Sequence, residues 1–308
     1  MAKALYNTIQ DEIQALKAER NAVILAHNYQ IGEIQDIADH LGDSLYLAQV
    51  VAQTDADVIL FCGVHFMAET ASILNPKKTV LMPDLEAGCS LADMVTAEDI
   101  QHWRQQYPNG IVVSYVNTSA AVKAQSDYCC TSSNAVKVVD SLPKDRPILF
   151  VPDFFLGSYV KAKTGRDIHL WQGYCPAHTV ISAAHVDQLR AEHPQAEFLM
   201  HPECGCATKS MHLADQVLST GGMIDYAKKS NAQEFIIATE TGILHRMRKD
   251  NPSKTFIPAS EQSVCGFMKK NTLEKMIWSL ENMQYEVKVP QALAEKARLP
   301  IQRMLEIT

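Results

Sequence analysis

Short, fully apolar runs separated by segments of helical spacing set the rhythm of the chain. Ala22 to Ala26, Val58 to Cys62 and Thr79 to Met82 read as buried strands, with helical periodicity at Gln35 to Leu41, Leu45 to Gln53 and His65 to Leu74. The order returns with strands at Ile111 to Tyr115, Ile148 to Val151 and Asp167 to Leu170, and again at Glu197 to Met200, Phe235 to Ala238 and Thr255 to Ile257. Strands this apolar, alternating with helices, predict an α/β fold of parallel sheets covered on both faces.

Polar positions repeat with the same beat. The first strand of each unit runs into a polar cluster: His27-Asn28-Tyr29, Tyr115-Val116-Asn117 and His201-Pro202-Glu203. A hydroxyl follows, with Ser44 17 residues after His27, Ser132 17 after Tyr115 and Thr220 19 after His201. Each unit closes on a cysteine in a loop containing Gly, Pro or Ser: Cys89, Cys175 and Cys265, spaced 86 and 90 residues apart. A shared period of this size predicts three copies of one unit. The expected architecture is three similar parallel-sheet αβα domains in a pseudo-threefold arrangement around a central active site. The divisions fall at 1–108, 109–194 and 195–308, the last carrying C-terminal helices expected to pack on the first unit. A chain of 308 residues is long for one core, which agrees with this division.

Composition narrows the class. The chain is 47% hydrophobic and 20% charged, the balance of a globular protein. With 28 Lys and Arg against 35 Asp and Glu, and no basic run, a nucleic-acid partner is not expected. No apolar stretch approaches the roughly 20 residues of a membrane span, and Met1 to Arg20 has no apolar core of a signal peptide. A cytoplasmic protein is expected, with its eight cysteines reduced.

No Cys-x-x-Cys occurs, so a metal site must gather thiolates from distant positions. In parallel α/β sheets, ligands bind beyond the carboxyl ends of the strands, where all three polar clusters lie. Units facing one another around an axis bring those clusters and Cys89, Cys175 and Cys265 to one cavity. Three thiolates at a point bind a soft metal and leave one coordination position open. A 4Fe–4S cluster with one differentiated iron suits this set, with zinc as the metal alternative. Cys204-Gly205-Cys206 has no counterpart in the other units and ranks below the three spaced cysteines.

The chain also resembles a known family, quinolinate synthase. The resemblance rests on Ile24-Leu25-Ala26-His27-Asn28-Tyr29-Gln30, Gly42-Asp43-Ser44, Gly63-Val64-His65-Phe66-Met67-Ala68-Glu69 and Pro83-Asp84. It continues through Tyr115-Val116-Asn117-Thr118, Cys130-Thr131-Ser132-Ser133-Asn134-Ala135, Gly173-Tyr174-Cys175-Pro176-Ala177-His178 and His201-Pro202-Glu203-Cys204. Ser219-Thr220-Gly221, Thr239-Glu240-Thr241-Gly242 and Met268-Lys269-Lys270-Asn271-Thr272 complete it, in family order. It implies an enzyme of NAD biosynthesis that condenses iminoaspartate with dihydroxyacetone phosphate to quinolinate, phosphate and water. A functional link to the oxidase that makes iminoaspartate is implied as well. So is a 4Fe–4S cluster held by three cysteines, which fall on Cys89, Cys175 and Cys265. Longer members carry a Cys-x-x-Cys-x-x-Cys stretch near the last ligand. Here the sequence is Cys265-Gly266-Phe267-Met268-Lys269, the short form, so disulfide control at that point is not expected.

The chemistry assigns roles. Glu203 and Tyr29 form the expected acid/base pair, Tyr115 and His201 serve enolisation of the triose, and His27 orients a substrate oxyanion. Ser44, Ser132 and Thr220 precede helical segments starting near Leu45, Ser133 and Met223, where free N–H groups attract anions, although a Ser or Thr there is also an ordinary cap. Asn117 faces a carboxylate or the substrate nitrogen. His178 sits beside the cluster or on a helix without a role, and Lys269 and Lys270 either charge the cavity or face solvent. The competing readings are another iron–sulfur hydro-lyase or reductase on the same plan, and a zinc-held, non-catalytic α/β binding protein.

Overall fold

The computed structural model describes residues 8–307; the start of the Met1–Arg20 stretch discussed above lies outside them. The first run of elements is α1 (Ile9–Glu19), β1 (Ala22–His27), α2 (Gly32–Ile37), β2 (His40–Gly42), α3 (Ser44–Gln53), β3 (Val58–Cys62), α4 (His65–Leu74) and β4 (Thr79–Leu81). The second is α5 (Ala97–Gln106), β5 (Ile111–Tyr115), α6 (Ala120–Lys123), β6 (Tyr128–Cys130), α7 (Ala135–Asp140), β7 (Ile148–Val151), α8 (Phe154–Thr164) and β8 (Ile168–Leu170). After α9 (Pro176–Thr179) the third is α10 (Ala183–Glu192), β9 (Glu197–Met200), α11 (Ala207–Ser210), β10 (Gln216–Val217), α12 (Thr220–Lys229), β11 (Glu234–Ala238), α13 (Ile243–Asp250) and β12 (Thr255–Pro258). The chain ends with α14 (Leu273–Asn282) and α15 (Gln291–Glu306).

Among the described residues these strands form three four-stranded, all-parallel sheets with one topology: β2-β1-β3-β4, β6-β5-β7-β8 and β10-β9-β11-β12. The expected repeat of αβα units is the fold. In each sheet the first strand of the unit lies inside, next to the second long strand, and both are buried almost end to end. That is why their sequences are continuous apolar runs rather than alternating ones.

One prediction of local structure fails. Helical spacing pointed to Gln35 to Leu41, but the helix stops at Ile37 and His40–Gly42 is an edge strand. The cause is Asp39, whose N–H bonds to the Ile24 carbonyl while its carboxylate takes the Ile24 N–H at 2.8 Å. The chain is thus fastened to β1 before a longer helix can form. The same device recurs. Asp127 takes the Val112 N–H at 2.8 Å and Asp215 that of Phe198 at 2.7 Å, each returning its own N–H to the same residue's carbonyl. Positions 39, 127 and 215 are 88 residues apart each time. A cation from the unit's first helix neutralises each carboxylate: Lys17 at 2.6 Å, Arg104 at 2.7 Å and Arg190 at 3.1 Å.

A second device keeps the same interval. Lys78, Arg166 and Lys254 precede the last strand of each sheet and donate to carbonyls at the ends of α3, α7 and α12. These acceptors include Ala56, Leu142 and Ser230. Helix ends leave such carbonyls unpaired and carry partial negative charge, so a cation is favoured there. At the end of the chain, Met276 and Leu280 of α14 join Ile13 and Leu16 of α1 in one apolar cluster under the first sheet. Helix α15 lies against β6 and α6, and Asn134 holds its end through the Met304 and Ile307 carbonyls.

The carboxylate fastening gives a direct test. Asp127→Ala should lower the unfolding midpoint in urea by the equivalent of about 1–3 kcal/mol, because it strands a strand N–H and a guanidinium. Asp127→Asn, which keeps an acceptor, should lose less, and Asp140→Ala on the exposed face of α7 should stay within about 0.5 kcal/mol of wild type.

Candidate active site

The three polar clusters leave β1, β5 and β9 at their carboxyl ends and meet in one cavity of about 250 Å³. Tyr29, Tyr115, His201, Glu203, His27, Ser44, Asn117, Ser132, Thr220, Cys89, Cys175 and Cys265 all line it. Lys269 and Lys270 do not. Lys269 bonds Glu240 at 2.9 Å and the Tyr29 carbonyl, while Lys270 pairs with the exposed Glu86.

The cysteine loops are built alike. The N–H of His65 bonds the Ala87 carbonyl, that of Phe154 the Gly173 carbonyl and that of Thr241 the Ser263 carbonyl, each at 2.8 Å. Each bond pins the chain two residues before its cysteine. Gly173 is required at its pin, since a Cβ there would lie 2.3 Å from the Pro152 carbonyl oxygen. Each sulfur then receives backbone N–H groups from just beyond it: Leu91 and Ala92 for Cys89, His178 for Cys175, Phe267 and Met268 for Cys265. Burial pushes the Cys89 thiol up to about 12 and raises those of Cys175 and Cys265. Three cysteines facing one cavity, with thiols that resist ionisation without a cation, are a donor set that fits a thiolate-bound metal group. Cys175, His178 and Glu203 also bring ligand atoms within 4.8 Å of one another and could hold a metal ion.

Cys204 and Cys206 depart from the all-reduced expectation: they form a disulfide with Cα atoms 5.2 Å apart. With one residue between them, their Cα separation lies in the range a disulfide spans. The other six cysteines are free.

Around the sulfurs lies a buried polar chain. Tyr29 Oη is 2.5 Å from Thr239 Oγ1 and 3.2 Å from His178 Nε2, which is itself 3.0 Å from Thr239 Oγ1. On its other side, His178 Nδ1 lies 3.2 Å from Glu203 Oε2, within ion-pair reach but without hydrogen-bond geometry, and Glu203 interacts with Tyr115. His178 therefore stands between the two members of the expected acid/base pair. Sequence spacing could not show this, because Thr239 and His178 belong to different units. The N–H of Glu203 donates to His201 Nδ1 at 3.4 Å, which leaves Nε2 to carry the proton and donate to Ser132 Oγ at 3.0 Å. His27 accepts the Tyr29 N–H in the same way at 3.2 Å.

Burial governs the charges. It lowers His27 to about 4 and His178 to about 3, and holds His201 well below the ordinary imidazole range. It raises Glu203 to about 7, the hydrogen bond with Tyr115 partly opposing, and holds Tyr29 and Tyr115 well above the usual phenol range. Glu203 is thus poised to exchange a proton near neutrality among neutral imidazoles. Glu203 Oε1 and Asn117 Oδ1 are buried without a protein partner among the described residues.

The hydroxyls are placed differently from expectation. Helix α12 begins at Thr220 rather than near Met223, and α7 at Ala135 rather than near Ser133. Asp43 and Ser219 act as the caps of α3 and α12, which leaves Ser44 and Thr220 in the first turn facing the cavity. Thr220 Oγ1 accepts from Asn28 at 3.0 Å. Glu240, given no role by sequence, is buried and accepts the Cys265 N–H at 3.0 Å and Lys269, so it positions that loop. His245 pairs with Asp36 on the surface at 2.9 Å.

Comparison with known proteins agrees with the geometry. The profile of the family described as Quinolinate synthetase A protein matches residues 11–306. The chain is 53% identical over 309 residues to a quinolinate synthase of Thermus thermophilus, covering 100% of both chains. It is 52% identical over 304 residues to one of Pyrobaculum aerophilum, covering 97% and 99%. To one of Dehalococcoides mccartyi it is 53% identical over 300 residues, covering 97% and 98%.

The depressed imidazoles predict an acid-labile fold in the metal-free protein. A histidine held near 4 contributes stability that is complete above its unfolded value of 6.5 and is lost as pH falls through 6.5 towards 4. Glu203, raised to about 7, has the opposite sign, its share being lost as pH rises through 7. Between pH 7 and pH 5, unfolding in urea should show that His27→Asn loses on the order of 2 kcal/mol less stability than wild type.

Proposed function

The chain belongs to the quinolinate synthase family, and we propose that it is the enzyme of NAD biosynthesis that condenses iminoaspartate with dihydroxyacetone phosphate. The products are quinolinate, phosphate and water. The observation that carries this reading is the shared cavity: three loops, each pinned by a main-chain hydrogen bond two residues before its cysteine, bring Cys89, Cys175 and Cys265 to the same space as a buried cluster of titratable side chains. We divide the chain into units at 1–108, 109–194 and 195–308, each supplying one cysteine. We place it in the cytoplasm, where Cys89, Cys175 and Cys265 would stay reduced, although the Cys204–Cys206 disulfide is not ordinary for that compartment; none of the described helices is long and apolar enough to cross a membrane. Iminoaspartate is short-lived in water, so the oxidase that produces it is the expected functional neighbour.

Cys89, Cys175 and Cys265 would hold a 4Fe–4S cluster. When bound, the cluster supplies a Lewis-acidic iron with an open position that makes a substrate hydroxyl a better leaving group. The remaining work falls to the protein. Tyr115 and His201 move the proton that enolises the triose, and the neutral His201, with its proton on Nε2, is able to donate. Glu203 takes and returns protons near neutrality, and His178 links it to Tyr29, its partner in acid/base transfer. His27 orients an oxyanion. Asn117 Oδ1, lacking a protein donor, suits the substrate nitrogen. Ser44, Ser132 and Thr220 donate to carboxylate and phosphate oxygens, helped at Ser44 and Thr220 by the first turns of α3 and α12.

Cys175, His178 and Glu203 favour a second reading, a single metal ion such as zinc in place of the cluster. Elemental analysis of anaerobically purified protein separates the two: about four irons and four sulfides per chain are expected, and zinc without sulfide would favour the second. Alanine at Cys89, Cys175 or Cys265 should abolish iron retention, while Cys62→Ala, in the core of the first sheet, should keep it. Tyr29→Phe and Glu203→Gln should retain iron and lose about 10²- to 10⁴-fold in turnover of iminoaspartate and dihydroxyacetone phosphate. Near-normal turnover in both would remove the acid/base assignment.

A further inference from the structure

Asp43 has more partners than a helix cap needs. Its Oδ1 takes the Tyr46 N–H at 3.0 Å, the ordinary cap bond of α3. Its Oδ2 takes Ser133 Oγ at 2.9 Å and Ser219 Oγ at 3.1 Å, so one carboxylate joins the segments that follow β2, β6 and β10. Gly221 lies so close that a Cβ there would sit 2.8 Å from Oδ2.

Two spaces meet at this contact. On one side is the 250 Å³ cavity, lined here by Asp43, Ser132 and Thr220. On the other is an open recess of about 940 Å³, lined by Asp43, Ser132, Ser133, Ser219 and Gly221. The recess also carries Lys137, Lys163 and Arg246, with Asp225 as its one carboxylate besides Asp43. Arg246 is held by the Leu41 carbonyl at 2.7 Å and pairs with Asp250 at 3.5 Å, so the unpaired cations of the recess are the two lysines. Lys137 and Lys163 are exposed and have no ion-pair partner among the described residues.

Resting on the function proposed above, we propose that this recess is the anteroom for the anionic substrates, a phosphate ester and a dicarboxylate, and that the Asp43–Ser133–Ser219 contact is the latch between it and the cavity. Its cations raise the local concentration of anions at the mouth, as charged clefts do. With the latch made, the carboxylate lies across the passage, repels a departing anion and keeps bulk water from a reactive imine. Entry requires Asp43 to give up two hydroxyl donors from neighbouring segments. That is a small cost, since each hydroxyl and the carboxylate exchange one hydrogen bond for another to water, so the latch opens readily.

Anaerobic kinetics on the cluster-loaded enzyme test this. Lys137→Glu/Lys163→Glu should lower kcat/KM about tenfold or more at low ionic strength, with kcat held and the loss shrinking as salt is added. Lys77→Glu, exposed at the amino end of β4 and lining neither space, should not show this pattern. Ser133→Ala should retain iron and release bound quinolinate about 2- to 10-fold faster, the worth of one hydrogen bond. An active wild type whose double variant behaves like Lys77→Glu, a loss insensitive to salt, or an unchanged release rate overturns the latch and its anteroom. A fully iron-loaded wild type that makes no quinolinate overturns the proposed function instead, and with it the identity of the substrates named here.

Discussion

Three backbone hydrogen bonds, from His65, Phe154 and Thr241 to the carbonyls two residues before Cys89, Cys175 and Cys265, fix everything chemical in this molecule. A loop is ordinarily the mobile part of an α/β unit. Here the start of the second strand's following segment clamps each loop, so the sulfur is as well placed as the sheet behind it. Because the clamp is made from main chain alone, it survives divergence of side chains between the units, and Ala87, Gly173 and Ser263 occupy the same role.

The clamps place the sulfurs, but the buried polar chain exists only when the units meet. Tyr29 follows β1, His178 lies beyond the second sheet, and Glu203 and Thr239 follow strands of the third. No unit alone could shift Glu203 upward or keep three imidazoles neutral, since the shifts arise from burial that the neighbours complete. Fold stability and site chemistry therefore pull in opposite directions. Each buried imidazole and the unpartnered Glu203 Oε1 would be better solvated in an open form.

Much of this was legible along the chain, for reasons that also explain the gaps. The inner strands announce themselves because both faces are buried, and the cysteines because they recur at similar intervals in loops. The edge strands β2, β6 and β10 have two or three residues each, too few to show a period, so no periodic signal marks them. Their true marker was the Asp that precedes each one, at an interval of 88 residues. A repeat search on charged positions would have found it, and would have found Lys78, Arg166 and Lys254 too. His178 and Thr239 were opaque for a different reason: their meeting with Tyr29 depends on how whole units dock, which no local pattern encodes.

The same docking explains why Asp43 escaped notice as anything but part of a Gly-Asp-Ser motif. In its own segment it is an ordinary cap of α3. The second oxygen of a capping carboxylate normally faces water, and here it faces two hydroxyls from other units at the boundary between cavity and recess. Caps are placed by the helix they start, so a cap at the meeting point of three helices is a rigid post that both neighbours can grip or release. Hydroxyl–carboxylate bonds suit that duty better than apolar contacts would. They are short-ranged and directional, and once separated both partners are readily solvated, so opening carries little penalty and closing restores one geometry.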